Sequence, residues 1–427
     1  MEIRMTDLSR RVLLGTSLAT LATPALHAQA PVEITVHYAQ PFIFKASYDA
    51  ITEAFARREP AIRITYVTSP SYQEGTQLLL RQVATNQLPD LSFQGLNLLR
   101  IFAERGIAQD LAPFLTRGGT PASQGYSDGL LALGRFNNYQ AGLAYAASTA
   151  ISFVNVDLTR RAGFDPDLLP TDWAGHLRMA AAVKARTGGP EGMWFAWSEW
   201  MFQTLVLGHG GRMMTPDESD IAFDGADGLR TLRLHEQMVR DTAMPMLNAS
   251  SASQAFAAGQ LGAFYWTTAV VRNFLRSVGQ NFEFRTYPLP TVAGVPNGLL
   301  ATGGAAGMIT ARDPAKREAA WKFLHFATSA EGQALMVQNS GYVPCNSLAI
   351  EDPRWLGAFY SENPAFRAAV TQMPSQAPWF AFPGSNGVRI TTAINDNTAR
   401  VVEQRATPDV ALADMAREVR RLLPRRS

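Results

Sequence analysis

The chain has 427 residues, 47% hydrophobic and 17% charged, with a formal net charge of +2. That length suits two or three domains, and the apolar fraction is too high for a disordered chain. The near-neutral balance argues against a nucleic-acid binder, and the single cysteine, Cys345, excludes an internal disulfide and any multi-cysteine metal centre.

Residues 1–30 read as an export signal. Arg4, Arg10 and Arg11 make a positive start, residues 12–22 form an apolar run, and Ala28-Gln29-Ala30 has the small residues of a cleavage site. The run is shorter than the roughly 20 residues that span a bilayer. Ser9-Arg10-Arg11-Val12-Leu13-Leu14 carries a twin-arginine pattern, the address of proteins exported already folded. No cysteine follows the run, so a lipid anchor at the usual place is not expected, and the expectation is a soluble exported protein.

Strand and helix patterns then alternate. Residues 32–38 alternate apolar and polar, as a strand does. Residues 46–58 carry Ala50, Ile51, Ala54 and Phe55 at helical spacing, stopped by Pro60. A strand follows at 62–68, a helix at 72–86, a short strand at 91–93 and a helix at 96–104. Strands separated by such helices imply parallel pairing and an α/β layered fold. The stretch 155–240 reads as mostly helical. Strands are expected at 262–266 and 305–310, helices at 314–328 and 330–339, and a helical tail from 388 to 423 in which Pro408 starts a helix. No linker separates two units, so the chain is expected to pass between them more than once.

Enzyme motifs are sparse. His235-Glu236 opens like a zinc-protease helix, but position 239 is Val. Asp217, Asp220 and Asp224 lack the spacing of a calcium loop, and no nucleophile elbow or phosphate-binding loop occurs. Neither a metal nor a cofactor is implied. Cys345 reads as a small buried hydrophobe. The aromatics carry more. Trp194, Phe195, Trp197 and Trp200 cluster near Glu199, Tyr265-Trp266 precede two threonines, and Trp379, Phe380 and Phe382 precede a Gly-rich turn that leads to Arg389. Flat rings beside hydroxyl, amide and guanidinium groups suit the faces and hydroxyls of a sugar or polyol.

Three blocks in this order resemble the extracellular solute-binding proteins of carbohydrate ABC transporters. They are Ala144-Tyr145-Ala146-Ala147-Ser148-Thr149 with Phe153-Val154-Asn155, Phe256 to Gly262, and Ala320-Trp321-Lys322-Phe323-Leu324 through Gly341-Tyr342-Val343-Pro344. The resemblance covers nearly all of the chain after the signal. It implies an α/β, type II periplasmic binding-protein fold of two lobes joined by crossing hinge strands. Residues 31–144 plus about 271–328 are expected in one lobe, and about 145–270 plus 329–427 in the other. Within the family the chain is most similar to the glycerol-3-phosphate-binding branch. That likeness implies Tyr72, Ser148, Trp197, Trp200, Thr268, Gly304, Tyr342 and Arg389 as ligand contacts, with Arg389 on the phosphate. Gln94 stands where the branch carries Glu, and an amide both donates and accepts, so the polyol end of the ligand is expected to differ. The implied role is a monomeric, non-catalytic periplasmic receptor that delivers a glycerol phosphate, glycerophosphodiester or sugar to an inner-membrane permease. The alternatives are a receptor for a neutral mono- or oligosaccharide and, from another class, an exported hydrolase of phosphodiesters or glycosides.

Overall fold

A computed structural model describes residues 31–424 except 137, 138, 293, 296 and 297. The expected export signal lies outside the described residues. In chain order the described strands are β1 Val32–Ala39, β2 Ile62–Ser69, β3 Leu91–Gly95, β4 Arg135–Phe136, β5 Tyr139–Gln140, β6 Leu143–Ser148, β7 Ala150–Asn155, β8 Glu191–Phe195, β9 Leu261–Thr267, β10 Phe284–Pro288, β11 Leu300–Ile309 and β12 Gln376–Pro378.

Two sheets organise the chain. The first has the order β12-β11-β3-β1-β2, with β6 also paired to β11. β1 runs parallel to β2 and β3, joined by the helices Pro41–Arg58 and Tyr72–Thr85, while β11 runs antiparallel to β3 and β6. The second has the order β10-β7-β9-β8. The chain steps from the first sheet to the second through the single residue Thr149, between Ser148 and Ala150, and returns between β10 and β11. Thr268 N–H donates to Thr149 O at 3.0 Å, and Ala147 bridges to Val343, which ties the crossing together. This is the expected two-lobe α/β architecture.

The helices follow local rules. Helix Pro41–Arg58 begins five residues before its apolar periodicity suggested, because Pro41 supplies a preset first turn, and it buries Ile43, Phe44, Tyr48, Ile51 and Phe55 on one face. Ser71 caps helix Tyr72–Thr85: its Oγ accepts from Glu74 N–H and donates to the Glu74 carboxylate, both at 3.1 Å. β8 lies inside the stretch read as helical. Gly192, Met193, Trp194 and Phe195 are all buried, so no alternation marks the strand.

Membership of the lobes departs from expectation in several places, β12 among them, which pairs with β11 in the first sheet. Helix Val271–Val278 and β10 lie in the second lobe: β10 pairs antiparallel with β7, and Phe274 packs against Phe153, Phe256 and Phe264. Helix Ala330–Asn339 lies in the first lobe, where it packs on Pro41–Arg58 and Ser47 Oγ donates to Met336 O at 3.3 Å. Long-range strand pairing and aromatic packing decide these placements, and neither is local in sequence. Helices Gly387–Val402 and Pro408–Leu422 pack on Glu199–Gly208 and Ala226–Thr242 in the second lobe. Among the described residues, no helix is long and apolar enough to cross a membrane.

Candidate functional site

A cavity of about 150 Å³ lies where the lobes meet. The first lobe supplies Gln40 after β1, Tyr72 and Gln73 in the first turn of their helix, Ser148 at the end of β6, Gly303 and Gly304 in β11, and Tyr342. The second supplies Ser198, Glu199 and Trp200 at the start of helix Glu199–Gly208, and Trp266 and Thr267 at the end of β9. Trp379, just after β12, completes the wall. Ligand sites of open α/β sheets form at such strand ends, where helix N-termini converge. A larger hollow of about 690 Å³ along the last helix is lined by the second lobe alone.

Close approach shapes one wall. A Cβ on Gly303 would lie 2.6 Å from Ser148 Oγ and 2.8 Å from the Trp200 indole, so only glycine lets both sit against β11. Trp200 Nε1–H donates to Ala301 O at 3.1 Å, which leaves its ring as an apolar wall. The Trp200 and Trp379 centroids are 6.2 Å apart, and Tyr72 meets Trp379 edge-on at 6.5 Å. Across the lobes Phe42 stacks on Trp266 at 6.5 Å and 13°. Tyr342 stacks on Phe44 at 4.9 Å.

Glu199 is the one carboxyl that lines the cavity. Its Oε2 accepts from Trp379 Nε1–H at 3.0 Å and from Asn97 Nδ2–H at 3.3 Å, and its Oε1 accepts from Gln203 Nε2–H. Burial disfavours the charged form and pushes its pKa up to about 7, against the pull of the Trp379 and Gln203 bonds. Trp379→Phe keeps a ring there and removes one donor. The substitution is expected to cost about 1–3 kcal/mol at pH 8 and less at pH 5.5, where the carboxyl is protonated; urea denaturation at the two pH values checks this.

Of the residues named from sequence, the structure brings Tyr72, Ser148, Trp200, Gly304 and Tyr342 to the cavity. Gln94 lies behind it, fully buried: its amide N–H donates to Ser92 Oγ at 2.7 Å and faces His37 Nδ1 at 3.2 Å, and its Oε1 accepts from Thr76 Oγ1 at 3.1 Å. Trp197 packs on Trp194 at 5.9 Å, outside the lining. Thr268 Oγ1 donates to Gly341 O at 2.8 Å, and its neighbour Thr267 lines the cavity instead. Arg389 is exposed in the first turn of helix Gly387–Val402 and does not line the cavity. Trp266, Trp379 and Glu199 were visible in sequence as aromatics and a carboxylate; Gln40, Gln73, Ser198 and Gly303 gave no signal. Cys345 is buried, and burial pushes its thiol up to about 12.

The profile of the bacterial extracellular solute-binding proteins matches residues 50–368. The sn-glycerol-3-phosphate-binding periplasmic protein UgpB of Rhizobium meliloti is 22% identical over 86% of this chain and 86% of its own length. The crystal structure of UgpB from Mycobacterium tuberculosis in complex with glycerophosphocholine superposes with a TM-score of 0.80 at 20% identity, covering 92% of this chain and 98% of that one. The GacH receptor of Streptomyces glaucescens, solved unliganded and with acarbose, does so with a TM-score of 0.79 at 19% identity, covering 92% and 99%. With three quarters of its length matched by the profile, this chain is a member of the bacterial extracellular solute-binding proteins.

Proposed function

We infer that the chain is the periplasmic receptor of an ABC importer: it closes two lobes over a small hydroxylated ligand and hands it, unchanged, to a membrane permease. One observation carries this reading: a small cavity is walled by both lobes, with indole and phenol rings interleaved with hydroxyl and amide groups. Only a closed arrangement touches a ligand from both sides, so binding favours closure. Contacts between the lobes flank the cavity: Phe42 on Trp266, and Arg100 with Glu218 at 2.8 Å. The ligands named for the similar proteins, glycerol 3-phosphate, glycerophosphocholine and acarbose, all carry hydroxyl groups.

A glycerol-phosphate-like ligand is the first reading and a neutral sugar the second. The second is favoured by the lining itself, which contains no Lys, Arg or His among the described residues. Arg389→Ala separates them. A phosphate ester that reaches the exposed Arg389 is expected to lose up to about 1 kcal/mol of affinity, whereas a neutral sugar is expected to bind as before. The class is tested by calorimetry and thermal shift on the chain lacking residues 1–30, over glycerol phosphates, glycerophosphodiesters and sugars. A ligand at 100 times its Kd is expected to add about 2.7 kcal/mol of stability. Steady release of a cleaved product would overturn the receptor reading in favour of a hydrolase.

A further inference from the structure

One end of the cavity is closed by the Glu199 carboxyl, with an unpartnered amide oxygen behind it. Asn97 spends its amide N–H on Glu199, which fixes the orientation of the side chain, and its Oδ1 is buried with no hydrogen-bond partner. That oxygen lies beside the Tyr72 ring: a Cβ on Gly95 would sit 3.0 Å from both. The buried Tyr72 hydroxyl faces the Tyr342 hydroxyl. Glu199 accepts three hydrogen bonds, and a carboxylate has about four acceptor positions. Among the described residues, no cation lines the cavity to balance it.

We propose that the Glu199 end of the cavity receives a primary ammonium group, so that the natural ligand is an amine-bearing polyhydroxy compound. This rests on the reading of the chain as a receptor for a small hydroxylated solute. A primary ammonium brings three donors and one charge. It donates to the Glu199 carboxylate and brings the opposite charge to it, and the faces of Trp200 and Trp379 favour a cation. A phosphate there meets a carboxylate, and a quaternary ammonium has no N–H for Glu199. The neighbouring groups leave Glu199 as the group that titrates near neutral pH. Burial raises the Tyr72 and Tyr342 phenols, and His37, behind the Tyr72 helix, is lowered to about 4. Arg100 is paired with Glu104 and Glu218, and Arg389 and Asp396 are exposed.

The test is isothermal titration of the chain lacking residues 1–30 with two matched pairs: glucosamine against glucose, and glycerophosphoethanolamine against glycerol 3-phosphate. In at least one pair the amine member is expected to bind about tenfold or more tighter at pH 8. That preference is expected to shrink towards pH 5.5 in the wild type and to vanish in Glu199→Gln. If Glu199→Gln does not fold, the wild-type pH series decides. Equal or weaker binding of both amine members overturns the proposal while leaving the receptor reading intact. Failure of all four probes to bind, with a neutral sugar or glycerophosphodiester outside the set binding instead, overturns it as well. Failure of every hydroxylated probe overturns both.

Discussion

Gly304→Ala is expected to cost about 3–5 kcal/mol of stability, enough to leave much of the chain unfolded at 37 °C. Gly304 has φ +122°, a conformation that residues with a Cβ rarely adopt, and an added Cβ would lie 1.9 Å from Ala146 O. That oxygen is backbone and cannot swing away. β11 is held on both sides, by β3 and by β6, so it cannot withdraw either, and Gly304 O accepts from Leu96 N–H at 3.2 Å. The register of β11 on β6 shifts between Ala305 and Ala306, a bulge that re-aims the strand just where it walls the cavity. Gly129→Ala is the control: nothing lies within 4 Å of its Cβ, and it sits in helix Asp128–Ala132, so alanine there is expected to be neutral or stabilising by up to about 1 kcal/mol. Urea denaturation of both variants measures the difference, and a Gly304→Ala midpoint close to that of the parent would contradict the account.

Residues 31–95 were the most legible because strands and helices alternate there at short spacing and most of them show a local signal. β1 alternates, the helix after it shows one apolar face, and Ser71 with Glu74 marks the next helix start. Legibility fell where a buried strand lies outside that regular alternation. β8 looks like helix by composition, and the first half of β11, Leu300-Ala301-Thr302-Gly303-Gly304, has too little side chain to show a period. The site divides in the same way. Residue chemistry identified aromatics and hydroxyls, and resemblance selected Tyr72, Ser148, Trp200, Gly304 and Tyr342, all of which the fold carries to one cavity. The Glu199–Trp379 hydrogen bond joins positions 180 residues apart, and no local pattern announces such a pairing. Gln94 and Trp197 illustrate the converse: each is polar or aromatic at a suggestive place in sequence, yet neighbouring buried groups satisfy both.

Stability is expected to fall by about 3 kcal/mol between pH 7 and pH 5, the net of two opposed sets of buried groups. His37, His176 and His235 are each lowered from 6.5 to about 4 by burial. Each is neutral in the folded chain at pH 5, while in the unfolded chain each takes up a proton. Their stabilisation is therefore complete above pH 6.5 and is lost as the pH falls toward 4, at about 2 kcal/mol per histidine by pH 5. Glu199 acts in the other direction. Its folded pKa of about 7 lies above the ordinary 4.5, so its contribution is fully present below pH 4.5 and lost as the pH rises through 7; over the same interval it returns about 2 kcal/mol. Burial also lowers His209 and His325, which adds to the histidine side. His235→Leu isolates one term: its Nε2 is buried without a partner, and its Nδ1–H bond at 2.9 Å goes to Thr231 O within its own helix. The variant is expected to lose less stability than the parent between pH 7 and pH 5, by about 2 kcal/mol, as measured by urea denaturation across the interval. Glu199→Gln is expected to do the opposite and steepen the loss, because it removes the group that gains as the pH falls. If both variants track the parent across the interval, the buried histidines and Glu199 do not set the acid limb.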